Sequence, residues 1–218
     1  MAESTWGAEA RTAFANAREP RALATAVVKF HRRVDEVMSA TVAGHGIAVA
    51  CRRGCSYCCS LRVDVQPAET FALADWLKRH LDAARLADVV AKLRANVART
   101  RELGAEARKR TNIACALLAQ DGSCSAYAAR PAQCRRYHSL RVETCASFYA
   151  NPANEELESP MHAQLAHNAA VIVTQTQHAL RAGGLDADNQ DMNVALLAAL
   201  ENPKAWRRWR DGKKPFVD

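Results

Sequence analysis

The chemistry that this sequence offers is concentrated in its eight cysteines. Four of them stand together in the run Cys51-Arg-Arg-Gly-Cys55-Ser-Tyr-Cys58-Cys59. Gaps of two and three residues let a turning backbone aim successive sulfurs at one point, as a tetrahedral zinc site or an iron–sulfur cube requires. Gly54 permits the tight turn that such a loop needs. The run therefore predicts a metal-binding loop.

The residues next to these cysteines affect the charge and the geometry of the expected metal site. Arg52 and Arg53 are expected to lower the pKa of the adjacent thiols and to offset the negative charge of a thiolate site. Side chains of adjacent residues diverge, so Cys58 and Cys59 are not expected to share one mononuclear zinc. They would serve different metal atoms, or only one of them would be a ligand.

A second, looser group of cysteines comprises Cys115, Cys124 and Cys134, with gaps of eight and nine residues. By itself this spacing is weak evidence for a shared site. Asp121-Gly122 indicates a turn that returns Cys124 toward Cys115. Arg130-Pro131 is expected to direct the chain so that Cys134 closes on the same centre.

Together the two groups resemble the YkgJ-type cysteine-cluster proteins, described as zinc- or iron-chelating CxxxCxxCC domains. The resemblance covers about residues 47–140 and rests on Cys51-x3-Cys55-x2-Cys58-Cys59, on Cys115, and on Gly122-x-Cys124-x2-Tyr127-x2-Arg130-Pro131-x2-Cys134-Arg135. It implies seven metal ligands: Cys51, Cys55, Cys58, Cys59, Cys115, Cys124 and Cys134. Ala116 departs from the family, which often has proline there. Cys145 lies outside the shared pattern and is interpreted as a free or accessory thiol.

The first motif also has the form of the radical-SAM cluster motif, with Tyr57 before the last cysteine, which would make the protein an enzyme. Against this, the sequence has almost no strand periodicity for the partial barrel of such enzymes, and it lacks glycine-rich SAM contacts. A related cluster occurs in proteins similar to flagellin lysine methylases. A metal-dependent modifying enzyme therefore stays as the alternative function, without an assigned catalytic residue.

Polar residues close to the expected metal are Arg135, Arg136, Tyr137 and His138. His138 is either a ligand or proton donor, or one member of a polar shell that supports the thiolates, and the second interpretation is favoured. The metal is expected to be an iron–sulfur cluster or zinc. Seven cysteines exceed the four that one structural zinc needs, which favours iron–sulfur. Two zinc ions sharing the thiolates would satisfy the same count.

The elements that position these motifs are predicted to be helices. Apolar residues recur at helical spacing, and alanine is abundant while glycine (9) and proline (7) are scarce. The fold class is therefore mainly α: a helical scaffold with irregular cysteine-rich metal-binding loops and little or no sheet. We expect one domain over residues 1–218, with a cysteine-cluster core at about 47–145. Helices at about 20–43 and about 160–202 flank that core.

Composition limits the class of protein further. With 49% apolar and 24% charged residues the chain is not disordered. The sequence shows no secretory signal and no apolar run near the roughly 18 residues of a membrane helix, so a cytoplasmic protein that does not bind membranes is expected. The tail at 204–214 is basic and aromatic, which suits nucleic acid. The favoured interpretation is that Trp206 and Trp209 pack against the rest of the protein. The expected partner is therefore the metal, and the sequence also allows a protein partner.

Overall fold

The computed structural model describes residues 5–52, 54–154 and 160–216, and it confirms the mainly helical class. One small sheet accompanies the helices of this part of the chain. The helices are α1 Thr5–Phe14, α2 Pro20–His45, α3 Pro67–His80, α4 Ala83–Arg101, α5 Ala105–Lys109, α6 Ala132–Arg136, α7 Val142–Ala150, α8 Ala163–Ala182, α9 Met192–Glu201 and α10 Pro203–Arg210. The strands are β1 Asp64–Val65 and β2 Gln190–Asp191.

Local signals place the ends of several helices. Gly46 ends α2 with φ at +61°, and its N–H donates to the Val42 carbonyl oxygen. Pro67 stands in the first turn of α3, where its missing N–H costs no hydrogen bond. The Asp82 side chain caps α4 by accepting from the Arg85 N–H at 2.8 Å. These are the ends that glycine, proline and capping residues predict.

Two apolar clusters hold the helices together. The first joins α1, α2, α8 and α10, and its largest members include Trp6, Phe30, Leu180 and Trp209. The second joins α3, α4 and α9 to the second cysteine region; it contains Leu73, Leu77, Leu93, Leu117 and Leu196, with Cys115 and Cys124 packed against it. Part of the cysteine-bearing chain therefore rests directly on the helical scaffold.

The C-terminal segment forms a helix that packs against the rest of the protein, as the favoured interpretation of the tail predicted. Trp209 in α10 is fully buried, and its indole N–H donates to the Asp186 carbonyl oxygen at 2.8 Å. Trp206 meets Phe71 of α3 edge to face, with ring centroids 5.2 Å apart. Because Trp209 is inside the protein, its indole ring is not exposed for stacking on a base.

A short antiparallel sheet follows the first cysteine loop, where β1 pairs with β2 in the register Asp64 to Asp191 and Val65 to Gln190. Beside it, Arg108 and Asp191 form a buried ion pair with Nε and Oδ2 at 3.3 Å. None of the helices in the described part of the chain has both the length and the apolar character needed to cross a bilayer.

Candidate metal centre

The first cysteine loop ends in a 3-10 helix, Tyr57–Ser60. Its turn is built by hydrogen bonds from Cys55 N–H to the Arg52 carbonyl at 3.1 Å and from Cys59 N–H to the Ser56 carbonyl at 2.9 Å. Cys58 and Cys59 act on each other electrostatically: the pKa of Cys58 is raised and that of Cys59 is lowered. That Cys58 and Cys59 serve different metal atoms, or that only one of them is a ligand, remains a prediction.

The second cysteine region begins with a tight hairpin. Leu118 and Cys124 form an isolated antiparallel bridge, and the Ala119 N–H donates to the Ser123 carbonyl at 2.8 Å. Gly122 lies in the turn with φ at +78°, a conformation that glycine adopts without strain. The turn predicted from Asp121-Gly122 is thus present, and it returns Cys124 toward Cys115.

The backbones of the two regions are bonded to each other. The Cys115 N–H donates to the Cys59 carbonyl at 2.8 Å, and the Ile113 N–H donates to the Ser60 carbonyl at 3.0 Å. At the tip of the hairpin, a Cβ atom placed on Gly122 would lie 3.0 Å from the Gly54 carbonyl oxygen. The prediction that the two regions lie together is therefore confirmed for their backbones.

Cys134 is positioned by α6, whose start is held by a buried carboxylate. Glu69 of α3 is 4% exposed, and its Oε1 accepts from the Ala132 N–H at 2.7 Å. The same oxygen lies 2.8 Å from Nε2 of His31 in α2. One carboxylate thus ties the helix that carries Cys134 to two scaffold helices. Sequence reasoning missed this group, although a glutamate in a mostly apolar helix was the available signal.

The arginines of the second motif organise the loop before Cys134. The Arg135 guanidinium pairs with Asp35 of α2 at 2.6 Å and donates to the carbonyl oxygens of Ala128 and Arg130. Its contacts are therefore with α2 and with the loop before Cys134. Arg130 lies 3.8 Å over the Tyr127 ring, and its charge acts on Cys124. Arg53 lies outside the described residues.

Cys59 and the second-region thiols form an electrostatically connected inner group: Cys59, Cys115, Cys124 and Cys134. Burial, and then the charges of Cys124 and Cys59, raise the pKa of Cys115 to about 12. Burial likewise raises the pKa of Cys124 and of Cys134. Only the pKa of Cys59 is lowered, to about 7, by the hydrogen bond from Cys58. Burial and neighbouring charges disfavour the thiolate forms, and a bound cation would offset both effects.

A second neighbourhood of thiols surrounds Tyr137. Burial, and then the charges of Cys145, Cys58 and Cys51, raise the pKa of Tyr137 to about 12. Burial also raises the pKa of Cys51, with Cys55 and Cys145 adding to the effect. Cys145, buried in α7, is therefore close to the first loop although it lies outside the sequence motifs.

His138 makes two backbone contacts and is 2% exposed. Its Nε2 accepts from the His162 N–H at 2.9 Å, so its Nδ1 carries the proton and donates to the Arg136 carbonyl at 3.0 Å. Both ring nitrogens are engaged, and neither is available to a metal in this arrangement. This geometry supports the interpretation of His138 as part of the polar shell.

A cavity of about 390 Å³ opens beside the first loop. Arg52, Cys55 and Tyr57 line it from the loop, and Val142 lines it from the start of α7. The thiol neighbourhood around Cys55 can therefore be reached by a small molecule. This opening is the place where a ligand could approach the centre.

The donor chemistry fits a thiophilic metal. All eight cysteines lie among the described residues, and none of them forms a disulfide. Within the described chain, no three Cys, His, Asp or Glu side chains are placed so that one metal ion could join them. Binding a metal therefore requires the sulfurs to close up from the positions seen here. Clustered thiolates are ligands for zinc, iron–sulfur clusters and copper(I).

Fold and site together define a helical protein with a cysteine cluster carried by its connecting segments. The model of the CxxCxxCC family, described as a "putative zinc- or iron-chelating domain", matches residues 50–159, which is half of the chain. The chain belongs to this family, as its cysteine spacing indicated. Neither a curated protein nor a solved structure matches it.

Proposed function

We propose that this protein is a metal-binding module whose seven motif cysteines supply thiolate ligands to an iron–sulfur cluster or to zinc. The observation that carries the proposal is the hydrogen bond from Cys115 N–H to the Cys59 carbonyl, because it joins two cysteine groups that are far apart in the sequence. The family supports binding of zinc or iron. A reducing cytoplasm, where thiols stay free, is the compartment that suits such a site.

Iron–sulfur is the metal form that we favour. Seven thiols are more than one tetrahedral zinc can use, and multi-iron clusters take several cysteine ligands within a small volume. Adjacent Cys58 and Cys59 support the same choice, since they are easier to place around a multi-iron cluster or two metal atoms. Two zinc ions are the competing arrangement.

For the role of the centre, we favour a module for metal handling or assembly. The cavity beside Cys55 supports a second candidate function, that of a metal-dependent modifying enzyme. A centre whose coordination positions are all filled by protein side chains would support the module. An open coordination position facing the cavity would support the enzyme.

The test is isolation of the full chain without oxygen, followed by metal analysis, acid-labile sulfide and an absorption spectrum. Two variants, Cys115→Ser and Cys134→Ser, remove partly buried thiols of the inner group. Ser147→Ala changes an exposed residue of α7 and is the control. We expect the two cysteine variants to lose metal and the control to retain it.

The outcomes separate the parts of the proposal. A brown sample with iron and sulfide, depleted in both cysteine variants, supports an iron–sulfur centre. A colourless sample with stoichiometric zinc and no sulfide would overturn the iron–sulfur assignment while leaving the ligand set intact. Failure to bind either metal, both as isolated and after anaerobic reconstitution, would overturn the function itself.

A further inference from the structure

Helix α10 and the turn after it carry a row of exposed cations on the side away from the core. The buried residues of this helix are Ala205 and Trp209, which stand one turn apart on the side that packs inward. The exposed cations form what we call the basic face: Lys204, Arg207, Arg210 and Lys213. The three on the helix are spaced three residues apart, so they follow one another along its outer side.

Neighbouring carboxylates do not neutralise the basic face. Between positions 203 and 214 there are six basic residues and one acidic residue, Asp211. In the described part of the chain, the one ion pair of this segment joins Lys214 Nζ to Asp188 Oδ2 at 3.3 Å. The same carboxylate also pairs with Arg181 at 3.1 Å, so its single charge is divided between two other cations. The basic face therefore keeps its positive charge for an anion from outside the protein.

Two more guanidinium groups fix the end of α10 and add positive charge beside the basic face. Arg18 Nε donates to the Arg210 carbonyl oxygen at 2.8 Å. Arg208 Nε donates to the Lys214 carbonyl oxygen at 3.0 Å. A carbonyl oxygen carries no net charge, so both guanidinium groups stay positive. The backbone that carries the basic face is thus tied to the rest of the protein and presents its cations on an ordered surface.

The chemistry of this surface fits a row of phosphate groups. Guanidinium groups bind phosphate oxygens through two parallel hydrogen bonds, and cations clustered along one helix are the electrostatic mark of nucleic-acid binding. A lipid surface is the poorer match, because helices that lie on membranes insert an apolar face. The apolar residues of α10 instead pack inward, where both Trp206 and Trp209 meet the ring of Phe71. This packing prevents Trp209 from stacking on bases but leaves the contacts with phosphates open.

We propose that the basic face binds the phosphate backbone of a nucleic acid without reading its sequence. The net charge of +7 on the chain adds a general attraction for the same polyanion. Contacts with phosphates alone carry no sequence information, so the binding is nonspecific and weakens as the salt concentration rises. This inference goes beyond the proposed metal-binding function, does not depend on it, and gives the protein a second kind of partner.

The test measures binding of the full chain to a fluorescein-labelled DNA duplex of about 20 base pairs, by fluorescence anisotropy at several salt concentrations. Each neutralised phosphate contributes about −0.9 to the slope of log K against the logarithm of the salt concentration. Four contacts from the basic face therefore predict a slope of about −3 to −4. In the double variant Arg207→Gln with Arg210→Gln, we expect weaker binding at every salt concentration and a slope that is shallower by about two.

The matched control is the double variant Arg32→Gln with Arg99→Gln. It removes two exposed arginines from α2 and α4 and changes the net charge by the same amount. We expect this control to keep the wild-type slope. All four substituted side chains are exposed, and circular dichroism checks that both variants are folded.

Three results with the duplex would overturn the inference: no binding by the wild type at low salt, an unchanged slope in the basic-face variant, or an equal loss in the control. Vesicles of phosphatidylcholine and phosphatidylserine are the second probe. If the wild type bound these vesicles more tightly than the duplex, and the basic-face variant lost that binding, the face would belong to a membrane surface and the inference would also fail. Metal content, measured on the same samples, tests the proposed function separately.

Discussion

Replacing Gly122 by alanine tests the contact that joins the two cysteine regions. The residue has φ at +78°, and an added Cβ would lie 3.0 Å from the Gly54 carbonyl oxygen. A left-handed conformation costs a non-glycine residue roughly 1–2 kcal/mol. The contact adds to this cost because the neighbouring atom belongs to the backbone and cannot rotate away as a flexible side chain would.

The expected loss in the free energy of unfolding for Gly122→Ala is about 2 kcal/mol, which corresponds to roughly a 30-fold change in the unfolding equilibrium constant. Urea denaturation followed by circular dichroism, with a chelator present, measures the change in the chain without metal. A parallel zinc titration should show weaker binding, since the turn and the first loop can no longer approach as closely.

Gly44→Ala is the matched control. Gly44 lies near the end of α2, and a Cβ there would have no heavy atom within 4 Å. Alanine should therefore stabilise the protein, by roughly 0.5–1 kcal/mol, and leave metal binding unchanged. If Gly122→Ala were as stable as the wild type and bound zinc equally well, the contact between this turn and Gly54 would not contribute to the site.

Three further predictions concern the environment of the thiols. The pKa of Cys115 is raised from its ordinary 9.0 to about 12. The protein without metal should therefore lose stability as the pH rises from about 9 to 12, and bound zinc should suppress that loss. Denaturation at several pH values, with and without zinc, measures the change. Glu69→Ala leaves the Ala132 N–H without its partner and should lower the free energy of unfolding by at least about 1–3 kcal/mol. Glu69→Gln keeps an acceptor oxygen and should have a smaller effect. Equal stability of the wild type and both variants would contradict this role of Glu69. Metal removal should accelerate hydrogen exchange first in residues 50–66 and 114–140, and unchanged exchange there would show that the metal does not order them.

Local sequence patterns predicted much of the scaffold. Apolar spacing located the flanking helices α2, α8 and α9, because one buried helix face repeats about every 3.6 residues. The short helix α7 was missed, since it spans Val142–Ala150 and so makes little more than two turns. The charged segment at 104–112 contains the short helix α5. Division of the chain into one domain remains a prediction.

What the sequence by itself determined is the chemistry and the family: thiols at close spacing, the turn at Asp121-Gly122, and the motif that ends at Cys134 and Arg135. The tertiary structure decided which groups meet. Arg135 is 100 residues from its partner Asp35, and Glu69 is 63 residues from Ala132. Such contacts depend on how helices pack rather than on local spacing, and a one-dimensional pattern does not record them. The placement of Cys145 against the first loop has the same origin, because it follows from the face that α7 buries.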